Sequence, residues 1–403
     1  MLAMGRRART AADRLRGMDA ATRTAAISAM ARAVRRHCGV ILAANAADLA
    51  AATGMFDRLQ LDAARLEAIA AGIEAVAGLA DPVGAEMARW VRPNGLDIAR
   101  VRTPIGVIGM IYESRPNVTA DAAAICLRSG NAVILRSGSE ALRSAHAIHA
   151  ALAEGLEEVG LGDCVQIVPT ADRAAVAALL DGLEGTIDLI IPRGGRELVE
   201  RVSRESRVPV LGHAAGVCHS YVHASADPDK AAAIVRNAKL RRVSICGATE
   251  TLLIDRAAAS ELLPIIAAAL DGCELRGDAA ARAIVPMGEA DEADWSAEYL
   301  APVLAIRTVD GIDAAIAHVS RYGTGHTEAI VAEDAAAAEY FLARIDSAIV
   351  IWNASTQFAD GGEFGFGAEI GIATGRLHAR GPVGPEQLTT FKYIVRGSGQ
   401  IRP

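Results

Sequence analysis

The chain has 403 residues, of which 52% are hydrophobic and only 4% aromatic, and its formal net charge is −7. A chain of this length buries an extensive core and divides into two or three domains. The net negative charge argues against a nucleic-acid-binding surface. Because no apolar run approaches the roughly 20 residues that a membrane-spanning helix needs, we expect no contact with a membrane.

The predicted elements begin with helices and continue as an alternation of strands and helices. Residues 6–80 show helical periodicity, and the Asn94-Gly95 pair predicts a hairpin turn between two strands. Beyond the hairpin, apolar strands alternate with amphipathic helices, which is typical of parallel sheets covered by helices on both faces. Strands are predicted at 106–111, 132–135, 164–168, 189–191, 208–211, 251–254, 303–306, 329–331 and 389–395. Helices are predicted at 119–129, 139–159, 171–181, 194–204, 229–240, 256–270, 310–320 and 334–344.

Cys246 is the residue best suited to covalent chemistry. It lies on a predicted turn before Gly247 and Ala248, whose small side chains leave space for a substrate carbon. Arg241 and Arg242, just upstream, would favour the thiolate over the thiol. A buried structural cysteine is the alternative, because most buried cysteines act as small hydrophobic residues.

The six cysteines, at positions 38, 126, 164, 218, 246 and 273, form no CxxC pair and have no metal-type spacing. This pattern predicts reduced thiols in a cytoplasmic protein. On the same ground we expect no metal site.

Two loops offer a setting for a phosphate group. Arg136-Ser137 and Gly194-Gly195 each follow a predicted strand and open a predicted helix. Backbone N–H groups and the positive end of a helix bind phosphate, and Arg136 could meet an additional phosphate on an adenosine ribose. Ordinary strand-to-helix turns are an equal alternative, because the chain has neither GxGxxG nor GxxxxGK[ST].

Five segments form long motifs: 112–121 (YESRPNVTAD), 129–136 (SGNAVILR), 191–195 (IPRGG), 321–330 (RYGTGHTEAI) and 353–378. Together they resemble the γ-glutamyl phosphate reductases of the aldehyde dehydrogenase superfamily, and the N-terminal helices fit the same family. The resemblance implies an aldehyde-dehydrogenase-like α/β fold with two parallel-sheet domains and a β-hairpin oligomerisation arm. It further implies a homo-oligomer, either a dimer or a tetramer.

The domain limits follow from the same resemblance. They are 1–90 and 105–225, with part of 354–388, for an NADP-binding domain; 226–353 for a catalytic domain; and 91–104 with 389–403 for the arm.

The implied reaction is the NADPH-dependent reduction of L-glutamate 5-phosphate to L-glutamate 5-semialdehyde and phosphate, in proline biosynthesis. The family's nucleophile falls on Cys246, its oxyanion-binding asparagine on Asn117, and its ribose-binding glutamate on Glu298. The resemblance assigns Arg136, Ser137, Gly194 and Gly195 to the phosphates and adenosine ribose of NADPH. It also allows a glutamate 5-kinase as the partner that supplies the acyl phosphate.

The substrate carries a phosphate and a carboxylate, and these groups need donors. Candidates are Arg115, Ser355, Arg376 and His378, although a surface ion pair is an equal alternative for each arginine. Phe364 is a candidate wall of the nicotinamide pocket, with a position in the core as the alternative.

The chain departs from the family pattern at two positions. Many members have an acidic residue where this chain has Ala215, and an asparagine where it has Gly247. These departures keep two other interpretations open: another acylating aldehyde dehydrogenase, or a degenerate homologue without activity. His213 stands where hydrolytic aldehyde dehydrogenases have a water-activating glutamate, which suits a reductase; we favour a structural role for it.

Overall fold

The computed structural model describes residues 1–54, 56–213 and 215–402. The chain divides into two compact units, of which the first comprises Met1–Gly212, Gly365–Gly371 and the segment from Val383 onward. The second comprises His213–Phe364 and Ile372–Pro382. Among the described residues, no helix combines the length and the apolar character that crossing a bilayer would require.

The first unit begins with helices and continues as strands and helices in alternation. Its helices are α1 (Leu2–Arg16), α2 (Ala20–Arg36), α3 (Cys38–Ala51), α4 (Phe56–Leu59), α5 (Ala63–Gly78), α6 (Val118–Arg128), α7 (Leu142–Glu157), α8 (Arg173–Leu180) and α9 (Arg196–Glu205). Its strands are β1 (Glu86–Val91), β2 (Asp97–Pro104), β3 (Val107–Tyr112), β4 (Ala132–Ser137), β5 (Val165–Ile167) and β6 (Leu189–Arg193).

The second unit is a further α/β assembly. Its strands are β7 (Cys218–Val222), β8 (Thr249–Asp255), β9 (Glu274–Gly277), β10 (Gly288–Glu289), β11 (Val303–Val309), β12 (Thr327–Val331), β13 (Ile349–Trp352), β14 (Ile372–Ala373) and β15 (Gly381–Pro382). Its helices are α10 (Pro228–Leu240), α11 (Arg256–Ala269), α12 (Ala279–Ile284), α13 (Gly311–Tyr322) and α14 (Ala335–Arg344). The last strand, β16 (Thr389–Arg396), returns to the first unit.

A parallel sheet with the strand order β5-β4-β3-β6 forms the centre of the first unit. Every residue of β3 is buried, which explains its continuous apolar sequence. Alanine-rich helices pack closely around it: a methyl group on Gly155 of α7 would lie 2.6 Å from the carbonyl oxygen of Ala29 in α2. Glycine at this position therefore allows the two helices to approach.

The strand predicted at 208–211 is wrong, because the structure contains only an isolated bridge between Val210 and Ile190. Pro209 has no N–H to donate to a longer ladder. Its carbonyl oxygen accepts from Ile190 at 2.9 Å, and Leu211 donates to Ile190 at 2.9 Å, where the pairing ends.

The predicted hairpin is present as β1 and β2, and β16 adds to it, giving an antiparallel sheet with the order β1-β2-β16. The Arg92 N–H donates to the Leu96 carbonyl oxygen at 2.8 Å and closes the turn. Gly95 has a φ of +84°, which glycine adopts without strain.

A parallel sheet with the order β10-β9-β11-β8-β7-β12-β13 forms the second unit. The sequence did not predict β7, because its first three residues, Cys218 to Ser220, are polar or small. Oε2 of Glu328, on β12, accepts from the backbone N–H of the buried His219 at 2.9 Å. Because β7 pairs with β8 and β12, the second unit begins at His213, whereas the cofactor domain was expected to continue to residue 225.

Candidate active site

Cys246 lies in the loop that joins α10 to β8, in the second unit. The Asp227 carboxylate accepts from the Lys230 N–H at 2.8 Å and starts α10, with Pro228 in its first turn. The Ala248 N–H donates to the Ile245 carbonyl oxygen at 3.0 Å, so the chain turns around Cys246. The side chain of Cys246 is partly exposed, as a nucleophile must be.

A buried ion pair joins the two ends of this loop. Lys239, at the end of α10, donates to Glu250 at the start of β8, and both side chains are fully buried. Burial raises the pKa of Glu250 to about 7, and the Lys239 ammonium opposes part of that rise. The Gln357 amide also donates to the carbonyl oxygens of Ala238 and Arg242, at 3.0 and 3.1 Å. These contacts fix both ends of the loop.

The backbone of Cys246 rests on the segment that leads into β7. A methyl group on Gly216 would lie 2.2 Å from the Cys246 carbonyl oxygen, so only glycine fits there. The Cys218 thiol donates to the same oxygen at 3.1 Å. Glu298, predicted to bind ribose, accepts from the Gly216 N–H at 2.9 Å and thereby holds Gly216 in place.

Two imidazoles stand beside the thiol. One ligand atom from each of His213, Cys246 and His326 lies within 4.8 Å of the other two. The imidazole rings are 4.9 Å apart and nearly perpendicular, at 77°. Nδ1 of His213 donates to the Ile372 carbonyl oxygen at 2.5 Å, which fixes the orientation of that ring. An imidazole next to a thiol takes up its proton and stabilises the thiolate.

This pair of histidines was not predicted from the sequence. His213 was assigned a structural role, and His326 was seen only as part of a motif. Each of the three residues precedes one of the neighbouring parallel strands β7, β8 and β12, so the sheet brings them to one edge. Recognising β7 would have revealed the cluster. Arg241, expected to favour the thiolate, instead donates to Oε1 of the Gln357 side chain at 3.4 Å.

Asn117 is the first residue before α6, in the first unit. Its Nδ2 donates to Oδ2 of Asp121 at 2.8 Å, one turn later. Because Nδ2 carries two hydrogens, the second remains for another acceptor. Burial raises the pKa of Asp121 to about 6, against the opposing effect of the Asn117 hydrogen bond. Asp121 thus orients the amide that the resemblance assigns to the oxyanion.

Arg136 is the strongest candidate for binding a cofactor phosphate. The residue is buried, its Nη2 donates to the Ala171 carbonyl oxygen at 2.7 Å, and its Nε has no hydrogen-bond partner among the described residues. Burial lowers the pKa of the guanidinium. A buried cation with an unsatisfied N–H suits a phosphate oxygen. The neighbouring Ser137 hydroxyl donates to the Gly138 carbonyl oxygen at 3.0 Å.

The Gly194-Gly195 loop is already in contact with an anionic group. Oε2 of Glu113 accepts from the Gly195 N–H at 3.2 Å, and a methyl group on Gly194 would lie 2.5 Å from the same oxygen. A carboxylate thus takes the place at the start of α9 that the sequence offered to a phosphate. Binding of a phosphate there requires Glu113 to move.

The substrate candidates are spread over both units. Ser355 is buried, and its hydroxyl accepts from the Gln357 N–H at 3.2 Å. Arg376 is exposed and pairs with Asp346 at 2.5 Å, which fits the ion-pair alternative. His378 is also exposed, with a φ of +62°.

The two other candidates have simpler settings. Arg115 lies in the first unit, where its carbonyl oxygen accepts from the Val118 N–H at 3.1 Å at the start of α6. Phe364 lies in the second unit and is 40% exposed, so it is not a core residue of that unit.

Comparisons with known proteins agree with this fold. Residues 2–295 and 283–368 match the aldehyde dehydrogenase family. An acetylating aldehyde dehydrogenase from Geobacillus thermoglucosidasius has the same fold, with a TM-score of 0.71 at 19% identity over 99% of this chain and 97% of that one. The chain therefore belongs to the aldehyde dehydrogenase family.

Two more similar proteins are both named γ-glutamyl phosphate reductase. A curated γ-glutamyl phosphate reductase from Caulobacter sp. is 66% identical over 413 aligned positions, which cover 100% of this chain and 99% of the relative. The crystal structure of γ-glutamyl phosphate reductase from Thermotoga maritima matches with a TM-score of 0.97 at 43% identity, over 100% of this chain and 99% of that one. The chain belongs to the γ-glutamyl phosphate reductase family.

Proposed function

We propose that the protein reduces L-glutamate 5-phosphate to L-glutamate 5-semialdehyde with NADPH and releases phosphate, as a step of proline biosynthesis. The names of the close relatives support this activity. The observation that carries the chemistry is the position of Cys246, on a loop fixed at both ends and next to His213 and His326. A glutamate 5-kinase that supplies the acyl phosphate, and a cytoplasmic location suited to free thiols, belong to the same proposal.

The thiol chemistry follows from this cluster. The Cys246 thiol gives its proton to one of the two imidazoles, and the thiolate sulfur bonds to the acyl carbon. The Asn117 amide and the Cys246 N–H stabilise the oxyanion, a contribution of about 3 to 4 kcal/mol for one such donor. Phosphate leaves with the electrons of the C–O bond, so no strong general acid is required. The product of this half-reaction is a thioester on Cys246.

The family implies a nicotinamide cofactor. When bound, the nicotinamide supplies the hydride that converts the acyl group to an aldehyde, and the Cys246 thiolate leaves. We assign NADPH rather than NADH because Arg136 offers a buried cation with an unsatisfied N–H, which suits the additional phosphate. Ser137, Gly194, Gly195, Glu298 and Phe364 complete the proposed cofactor contacts.

Water must be kept from the thioester. A hydrolytic aldehyde dehydrogenase would have a water-activating carboxylate where this chain has His213. His213 donates from Nδ1 to the Ile372 carbonyl oxygen and stands beside the thiol. Reduction of the thioester is therefore favoured over its hydrolysis. The substrate contacts that we propose are Arg115, Ser355, Arg376 and His378.

We also propose a homo-oligomer built on the β1-β2-β16 sheet. Phe391, Tyr393 and Val395 alternate along β16 and are 45–55% exposed, so they share one face. Trp90 of β1 contacts Tyr393 edge-to-face, with ring centroids 6.1 Å apart. A face of this kind suits a second copy of the chain. Tyr393→Glu should reduce the mass measured by analytical ultracentrifugation, whereas an unchanged mass would contradict the assignment.

The thiol mechanism has a direct test. Cys246→Ala should abolish NADPH oxidation with freshly generated glutamyl phosphate, while Cys273→Ser should retain it. Burial raises the pKa of the Cys273 thiol to about 11, so it is a matched, unreactive cysteine. In the reverse direction, oxidation of glutamate semialdehyde should require phosphate or arsenate. Oxidation without either anion would favour another aldehyde dehydrogenase activity, and inactivity of the unsubstituted protein would favour a degenerate homologue.

A further inference from the structure

The proposed nucleophile and the two histidines beside it have the chemistry of a metal site. Thiolate and imidazole are the ligands that zinc prefers, and three protein ligands with one open position are typical of a reactive zinc site. His213, Cys246 and His326 come from three separate segments, so the spacing of the cysteines could not reveal them. The sequence-based expectation of no metal site considered cysteines alone.

The distances are close to those of a bound ion. Zinc–nitrogen and zinc–sulfur bonds of about 2.0–2.1 and about 2.3 Å place tetrahedral ligands about 3.4 to 3.6 Å apart. The three ligand atoms already lie within 4.8 Å of one another. A contraction of at most about 1.4 Å in any of the three separations would complete the site, and rotations of the three side chains can supply it.

The surroundings orient the ligands as metal sites require. Nδ1 of His213 donates to the Ile372 carbonyl oxygen, so a neutral His213 ring carries its lone pair on Nε2. His326 is fully buried, and its Nδ1 contacts the Thr327 hydroxyl at 2.9 Å. Such outer contacts hold an imidazole in the orientation in which it binds a metal ion.

We propose that His213, Cys246 and His326 bind one zinc ion, or a similar borderline-soft divalent transition metal, and that the bound ion reversibly switches off the thiol. On binding, the Cys246 thiol loses its proton to the solvent and its sulfur donates an electron pair to the metal. A water molecule takes the fourth position. The metal-bound sulfur no longer attacks an acyl carbon. Metal binding is independent of the proposed function, whereas inhibition rests on it.

Cobalt(II) is the probe for binding, because a thiolate–cobalt bond has an intense charge-transfer absorption that imidazole and carboxylate ligands lack. Addition of Co²⁺ to the metal-free protein, in a buffer without thiols, should produce this band with about one ion per chain, and Zn²⁺ should remove it. Mg²⁺, which prefers oxygen ligands, should not compete. The readout needs no turnover.

Four variants decide the assignment. Cys246→Ser, which is nearly isosteric, should lose the band, and Cys273→Ser should keep it. His213→Ala and His326→Ala should each weaken cobalt binding more than about tenfold, since the loss of outer contacts alone costs that much. Far-ultraviolet circular dichroism checks the folding of each variant. A band that survives in Cys246→Ser, or no band in the unsubstituted protein, overturns the site.

The inhibition is measured separately. Zn²⁺ at about one equivalent per chain should suppress NADPH oxidation, and a chelator should restore it. The zinc concentration that halves the rate should be more than about tenfold higher for His213→Ala than for the unsubstituted protein. Inhibition of each protein is measured against its own metal-free rate. If the cobalt band is present but turnover resists zinc, the inhibitory role is wrong and the site remains. If no turnover is found at all, the proposed function fails and the cobalt result still decides the site.

Discussion

The carbonyl oxygen of Cys246 lies so close to Gly216 that a single added methyl group would come within 2.2 Å of it. The Gly216 N–H is in turn held by Oε1 of Glu298, at 2.9 Å. The position of Cys246 is therefore set by a glycine 30 positions earlier in the chain and by a carboxylate from a third segment.

Gly216→Ala should displace the Cys246 backbone. A shift of about 1 Å in a reacting group costs about 100-fold in rate, and we expect a loss of that size in kcat together with about 1 to 3 kcal/mol of stability. Steady-state kinetics and urea unfolding measure the two effects. Gly72→Ala in α5 is the control, because a methyl group there meets nothing within 4 Å. Equal kcat values for the two variants would contradict the contact.

Asn117→Ala should lower kcat by about 100- to 1000-fold if the amide holds the oxyanion. Asn237→Ala, an exposed asparagine of α10, should leave kcat unchanged. Asp121→Asn keeps a hydrogen-bond acceptor for the Asn117 amide and should retain most of the activity. A kcat for Asn117→Ala within threefold of the unsubstituted protein would remove Asn117 from the mechanism.

Asp121 also predicts a dependence of stability on pH. Its pKa is about 6 in the folded protein and 3.8 as the ordinary value, so the folded state binds the proton more tightly. The free energy of unfolding should therefore fall as the pH rises from about 4 to about 6. Asp121→Asn removes this contribution. The stability of the variant relative to the unsubstituted protein should therefore increase as the pH rises across that range. Urea unfolding at pH 4.5 and pH 7 measures the difference, and a difference that does not change with pH would contradict the assignment.

The buried pair under the Cys246 loop should be intolerant of partial removal. Lys239→Met leaves the Glu250 carboxyl buried without its cation, which costs about 3 to 5 kcal/mol where the carboxyl must ionise. Burial already raises the pKa of Glu250 to about 7, and loss of the ammonium raises it further. The destabilisation should therefore be larger at pH 8 than at pH 6. Lys230→Met, which breaks an exposed pair with Glu333, should cost at most about 1 kcal/mol at either pH.

Arg136→Gln tests the choice of cofactor. Loss of a hydrogen bond to a charged group costs about 1.5 to 3 kcal/mol, so the ratio of kcat/KM for NADPH to that for NADH should fall about 10- to 150-fold. Arg207→Gln, an exposed arginine that pairs with Asp181, is the control and should leave the ratio unchanged. If Arg136→Gln also leaves it unchanged, the additional phosphate binds elsewhere, and the Gly194-Gly195 loop becomes the next candidate.

The alternation of apolar strands and amphipathic helices was sufficient to predict the four strands of the first parallel sheet and strands β8, β11 and β12 of the second. The Asn94-Gly95 pair was sufficient to predict the hairpin. The periodicity failed at β7, whose polar residues make contacts with neighbouring strands. Nδ1 of His219 lies 2.8 Å from Oε2 of Glu328 on β12, and the Ser220 hydroxyl lies 2.7 Å from that of Thr249 on β8. The periodicity failed again at 208–211, where Pro209 ends the ladder. Both errors concern pairing with distant strands, which a local pattern does not contain.

The candidate site shows the same limit. Cys246 could be proposed as the nucleophile because small residues surround it in the sequence itself. The histidines could not, since their approach to the thiol depends on the order of three strands. The carboxylate of Glu113 at the Gly195 N–H was equally hidden, because about 80 residues separate the two.

The order of β8, β7 and β12 has a consequence for the newly made chain. Under the proposed mechanism, His213 and His326 activate the Cys246 sulfur, and they come together only after β7 and β12 have paired, 109 positions apart at His219 and Glu328. An incompletely folded chain would therefore carry an ordinary thiol. The rate at which a thiol reagent labels that sulfur during refolding would thus report when the strands of the sheet have paired. A nascent chain would therefore lack the reactive Cys246 thiolate that the proposed mechanism requires of the folded protein.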